Sequence, residues 1–161
     1  SPIISAILSE DETGVSIIKL DSEMDHGPIL AQEKVSIENW PPYEEDLEKV
    51  LAEKGAEMIC RIIPNWISGD VKELDQDHSL ATFCGKFEKK DGEINLNDDP
   101  NINLRKVRAF HRWPGAFYFD NGKRVVIKKA SIQNKQLIIE RVVPEGKKEM
   151  NYQDYLRGKK N

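Results

Sequence analysis

Only two cysteines occur in the 161 residues, Cys60 and Cys84, and they do not form a Cys-x-x-Cys pair. That excludes a disulfide-stapled scaffold and a thiolate zinc centre, and it fits a reducing, cytoplasmic setting. Long apolar runs are missing as well. Stretches such as Ile62–Ile63 and Leu137–Ile139 are far too short to cross a bilayer, so no membrane partner is expected. No signal-peptide pattern opens the chain. Gly-x-Ser-x-Gly, Walker A, Gly-x-Gly-x-x-Gly and His-Glu-x-x-His spacings are absent, which removes the commonest hydrolase, nucleotide-binding and zinc-peptidase readings; no metal is expected. Internal repeats and low-complexity tracts are absent too. The first residue is Ser1 rather than methionine, so the chain is expected to be processed or to have its beginning upstream.

What is present is an ordinary soluble balance, 39% hydrophobic and 32% charged, with a net charge of −4. The charge is unevenly distributed. Residues 1–74 hold 6 Lys+Arg against 16 Asp+Glu, whereas residues 75–161 hold 18 against 12. Halves of opposite sign point to two units, the second a candidate for a polyanionic partner. An acidic solvated helix followed by ordinary basic strands gives the same counts.

The pattern predicts a short helix over Pro2–Leu8 and a strand over Val15–Leu20. A loop, Asp21–Pro28, leads to an extended run from Ile29 to Ile37. After Pro41 and Pro42, apolar residues from Leu47 to Ile67 recur at steps of three, four and seven, the stripe of an amphipathic helix. Gly69 is its natural stop and Pro64 should kink or loosen its last turns. Residues 71–78 read as a linker between a first unit, 1–70, and a second, 79–161. In the second, a helix over Pro100–Phe110 precedes strands over Phe117–Phe119, Lys123–Ile132 and Leu137–Val143. Asp120-Asn121-Gly122 and Gln133-Asn134-Lys135 supply the turns. Several short strands in a small unit favour a closed or nearly closed barrel, because closure hides strand edges. Asn151 is placed to cap a last helix ended by Gly158.

Chemistry concentrates in Leu20–Pro28. A loop at the carboxyl end of a strand is where α/β sheets place ligands, and Asp25 there precedes Gly27 and Pro28. The same residues also make a plain turn. His26 adjoins Asp25, but neighbouring side chains diverge, so the two are not expected to form a dyad. His26, His78 and His111 each read as structural or solvated. In the second half, Lys86, Lys89, Lys90, Arg105, Arg108, Arg112, Lys123 and Arg124, with Lys106, Lys128 and Lys129, interleave with Phe87, Phe110, Trp113, Phe117 and Tyr118. Basic residues with aromatics can bind nucleic acid; equally, the aromatics can be core and the charges a solvated surface.

Several segments together resemble one family. Thr13-Gly14-Val15-Ser16-Ile17-Ile18-Lys19-Leu20-Asp21, followed by Met24-Asp25-His26-Gly27-Pro28-Ile29-Leu30, is similar to the signature loop of folate-dependent formyltransferases. Lys90-Asp91-Gly92-Glu93-Ile94, Arg108-Ala109-Phe110, Trp113-Pro114-Gly115-Ala116, Pro144-Glu145-Gly146-Lys147-Lys148 and Leu156-Arg157-Gly158 resemble the C-terminal domain of the methionyl-tRNA formyltransferase family. The resemblance implies an α/β plus β chain: the last portion of a Rossmann-type catalytic domain followed by an OB-like β-barrel. It implies an enzyme of translation initiation, a monomer, that moves formyl from 10-formyltetrahydrofolate to the amino group of methionine on initiator tRNA. The family's catalytic aspartate maps onto Asp25, and Met24, Asp25, His26 and Gly27 onto part of the folate pocket. The basic residues Lys86, Lys89, Lys90, Arg105, Arg108, Arg112, Lys123 and Arg124 would face RNA.

Two departures accompany the resemblance. His26 stands where the family has threonine. The catalytic Asn-x-His is expected upstream of Ser1-Pro2-Ile3, so the chain alone is expected to be inactive. A non-catalytic RNA-binding module and a formyltransferase acting on a sugar nucleotide stay open as alternatives.

Overall fold

The computed structural model describes residues 1–159. Helix α1 (Pro2–Ser9) begins with proline at N1, where no amide donor is needed, and buries Ile4 and Ile7. Strands β1 (Thr13–Ile18) and β2 (Ile29–Val35) form a two-stranded antiparallel sheet. The sequence pattern carried the first strand on to Leu20. In the structure Lys19 and Leu20 have left the strand, and Leu20 is 83% exposed.

Helix α2 (Glu44–Ile67) follows, with Glu44, Glu45 and Asp46 in its first turn, where the helix dipole favours acidic groups. It continues through Pro64 for a last turn. Gly69 then takes φ 82°, and the Gly69 and Asp70 amides donate to the Trp66 and Asn65 carbonyls, the paired bonds of a glycine-terminated helix.

The second half contains α3 (Pro100–Ala109), capped by the Asp99 carboxylate on the Asn101 amide, and a four-stranded antiparallel sheet ordered β3-β4-β5-β6. Its strands are β3 (Phe117–Asp120), β4 (Lys123–Gln133), β5 (Gln136–Pro144) and β6 (Met150–Asn151). Asn121 and Gly122 at the first turn have φ 49° and 76°, and Asn134 and Lys135 at the second 49° and 61°. Both are left-handed pairs whose twist matches a tight hairpin. Along β4, Val125 and Ile127 face the core. Register shifts around Lys129 then bring Ala130 to the buried face and leave the lysine outside. Helix α4 (Tyr152–Arg157) is preceded by Asn151 as foreseen, although the Asn151 amide group donates to Asp154 rather than capping a backbone N–H.

Two expectations concern how the strands pair. The sheet is an open meander among the described residues, with no closure into a barrel; β5 and the two-residue β6 pair only over Arg141–Asn151 and Val142–Met150. The first half contributes an antiparallel pair, and the one parallel pairing among the described residues is the Glu93–Phe117 bridge; the expectation there is only the last portion of a Rossmann-type domain, which this pair does not overturn. Charge and turn signals show where strands begin and end but not which edges meet.

The core has two parts. Ile94, Leu104, Val107, Ala116, Tyr118, Val125, Ile127, Ala130, Ile139 and Val142 pack between α3 and the four-stranded sheet. Ile4, Ile7, Leu47, Ala109 and Phe110 pack α1 and α2 against the end of α3. The two halves therefore share apolar packing through α3. Truncating the fully buried Leu47 to alanine should cost about 2–5 kcal/mol, read as a lower midpoint in denaturant unfolding.

Candidate functional site

The loop from Leu20 to Pro28 leaves the end of β1 and returns into β2. The Lys19 amide donates to the Pro28 carbonyl at 2.9 Å and closes its neck. Gly27 is buried there. A β-carbon at this position would lie 1.8 Å from the Lys19 carbonyl oxygen, so only glycine fits. Met24 is 92% exposed and Asp25 is exposed. Asp25 adopts φ 56°, a left-handed conformation that costs a non-glycine residue energy unless the surroundings hold it. Among the described residues its carboxylate accepts no hydrogen bond.

His26 does not pair with Asp25. Its Nδ1 lies 2.7 Å from Asp21 Oδ2, and its ring stacks on His78 at 3.8 Å and 4°. The Asp21 hydrogen bond is the main reason that His26 is held above the ordinary imidazole range. The same bond, with the Glu23 amide, holds Asp21 below the usual carboxylate range. The His26 contribution is complete below the ordinary imidazole value and is lost as pH rises through its raised one. The Asp21 contribution is present above the ordinary carboxylate value and is lost as pH falls through its lowered one. Loop order should therefore peak between these two titrations. Amide exchange at Glu23 and His26, corrected for intrinsic rates, should slow in that window, and Asp21→Asn should flatten the profile.

The segment read as a linker also belongs to this site. Leu74 and Ile29 exchange backbone hydrogen bonds at 2.8 and 3.0 Å. Glu73 accepts from Lys19 and from the Trp66 indole. Gln76 Nε2 donates to the carbonyls of Asp25, at 2.8 Å, and Gly27, at 2.6 Å. Sequence reading included Asp21 in the loop without its pairing to His26, and missed Gln76 and His78 as neighbours of the candidate site. The β-bridge that brings 73–78 onto the loop joins residues 45 apart, and no periodicity reports such a pairing.

The expected RNA-facing residues divide into two groups. Arg105 donates to the Ile7 and Glu10 carbonyls and pairs with Asp11. Arg108 donates to the Pro41 carbonyl and lies 5.4 Å from the Tyr43 ring centroid. Arg112 bridges Glu44 and Glu48, and Arg124 donates to the Pro114 carbonyl with its guanidinium 4.0 Å over Phe117. The first three join α3 and the residues just after it to the first half. Lys86, Lys89, Lys90 and Lys123 are exposed, and Lys90 pairs with the exposed Glu88. Of the aromatics, Phe110, Phe117 and Tyr118 are core, whereas Trp113 is 51% exposed.

The family model described as "Formyl transferase" matches residues 2–63, and the one described as "Formyl transferase, C-terminal domain" matches residues 86–138. The chain belongs to the formyltransferase family. The methionyl-tRNA formyltransferase of Chloroflexus aurantiacus is 37% identical over 135 residues, which is 82% of this chain and 43% of the relative. The chain thus spans less than half the length of that curated relative. In structure, this formyltransferase chain is similar to a variant of HypX from Aquifex aeolicus, with a TM-score of 0.71 and 18% identity over 97% of this chain and 32% of the other. It is also similar to an N-formyltransferase of Helicobacter canadensis solved with folinic acid and dTDP-3-aminofucose, at 0.69 and 20% over 92% and 59%. The Asp25 loop lies inside the first matched segment. Gln76 and His78 lie between the two.

Proposed function

We propose that this formyltransferase chain carries the Asp25 side of a site that transfers formyl from 10-formyltetrahydrofolate to the amino group of methionyl-initiator tRNA. The observation that carries the reading is the loop itself: a constrained backbone presents an exposed carboxylate that accepts no hydrogen bond among the described residues. Amine attack on the formyl carbon builds negative charge on oxygen, and preorganised donors at that oxygen usually supply a leading part of catalysis. An ionised carboxylate cannot donate, so the role of Asp25 is to orient a histidine and stabilise its charged form while donors elsewhere meet the oxyanion. The folate would lie against Met24–Gly27.

No Asn-x-His sequence occurs between Ser1 and Asn161. The polypeptide alone should therefore give no formylation above background with 10-formyltetrahydrofolate and methionyl-tRNA. Measurable turnover would overturn the assignment of donors to other residues.

The exposed lysines support contact with tRNA phosphates. Binding by the chain should weaken with salt, each neutralised phosphate adding roughly 0.7–0.9 to the slope of log K against log salt. Charge removal at Lys86, Lys89, Lys90 or Lys123 should flatten that slope about equally for initiator and elongator tRNA, because phosphates carry little sequence information. Substitution of Arg105, Arg108 or Arg112 should lower stability more than it changes the slope. A flat salt dependence would return the lysines to a purely solvating role. The structural likeness to an enzyme solved with an amino-sugar nucleotide supports a second acceptor class. Transfer to an amino-sugar nucleotide but not to methionyl-tRNA, by a chain completed with a family amino-terminal half, would favour it.

A further inference from the structure

We propose that Gln76 is a positioning residue for the Asp25 loop, so that the segment between the two family-matched regions sets the geometry of the transfer site. This rests on the reading of Asp25 as the transfer carboxylate. Three features of the loop lead to it. Asp25 sits at φ 56°, an unfavourable conformation for a side-chain-bearing residue, and Gly27 is pressed against the Lys19 carbonyl. The loop therefore needs outside restraint. The carbonyls of Asp25 and Gly27, on either side of His26, turn to one point, and the two Nε2 protons of Gln76 meet them at 2.8 and 2.6 Å. One primary amide supplies both donors, which no hydroxyl or carboxylate can do. Finally, Gln76 is itself held in place. Two residues before it Leu74 is bridged to Ile29, and two residues after it His78 stacks on His26. A donor fixed at both ends holds the backbone rather than the carboxylate, leaving the Asp25 side chain free for its partner.

The charged and titratable groups that act on His26 are Asp21 and Glu23 in its own loop, and from the opposing segment His78 stacks on its ring with Asp77 beside that second histidine. The His26 midpoint consequently reports how firmly the loop is held against that segment. The test uses the full chain, with Gln76→Ala and the isosteric Gln76→Glu, which keeps volume and removes both donors. Both variants should raise amide exchange at Lys19 and Glu23, whose N–H groups donate to the Pro28 carbonyl and the Asp21 carboxylate, by about tenfold or more while exchange at Leu47 stays unchanged. In Gln76→Ala, which adds no charge, the His26 midpoint, read from its ring carbon shifts, should fall toward the ordinary imidazole value. Gln76→Lys, which restores N–H donors at similar reach, should recover part of the protection. Loop exchange unchanged in Gln76→Glu, or a His26 midpoint unchanged in Gln76→Ala, would overturn the proposal, and so would exchange rising in parallel at Leu47 and the loop. Asp25→Asn should leave loop exchange as it is. A completed enzyme that tolerates Asp25→Asn would therefore sink the functional reading alone, while an undisturbed loop in Gln76→Glu would sink the positioning role alone.

Discussion

Gly27→Ala should displace the whole Asp21–Pro28 loop and destabilise the chain more than any other single methyl addition in the first half. The new β-carbon would stand 1.8 Å from the Lys19 carbonyl oxygen and 2.9 Å from its carbon, a clash with backbone rather than with a movable side-chain end. Neither side can easily yield. Lys19 is tied by its amide to the Pro28 carbonyl, and the Gly27 carbonyl is held by Gln76. Relief requires opening the loop neck, so the cost should reach about 3 kcal/mol, the upper part of the range for overpacked sites. For a chain of this size that is a fall of roughly 6–12 °C in Tm. Gly85→Ala is the matched control: it has open space and no left-handed φ, and should change Tm little. A Gly27→Ala protein that melts like Gly85→Ala would mean that the loop is not packed as described.

The sequence made some of this arrangement visible and hid the rest, for physical reasons. Asn121-Gly122 identified a hairpin because its left-handed conformations are affordable to few residue pairs. The stripe from Leu47 to Ile67 identified α2, although only Leu47 and Met58 are fully covered, and Ile59, Ile63, Trp66 and Ile67 stay exposed in this chain. The Asp25 loop was legible as a candidate site because Asp, Gly and Pro follow a β-rich run. Its supports were not. Gln76 stands in a polar stretch with no period, and its partners are two main-chain carbonyls that every residue possesses. Arg105, Arg108 and Arg112 looked like a nucleic-acid face because composition counts charges without their partners. Folding places carboxylates and carbonyls of α1, α2 and their flanking loops against them. Among the described residues no barrel closure is seen, for a related reason: strand number is local information, whereas edge closure depends on pairing between distant segments.

The assignment of Asp25 is tested most directly by kinetics on a chimaera. In it the amino-terminal half of the Chloroflexus aurantiacus relative precedes Ser1, and position 25 is Asp or Asn. Asn keeps the size and the loop backbone but removes the charge that would orient and stabilise a histidine during transfer. The loss belongs to the transition state, so kcat should fall on the order of 10²-fold or more while tRNA affinity stays the same. Equal kcat for the two proteins, with the loop intact by amide exchange, would contradict the account and leave Asp25 a turn residue.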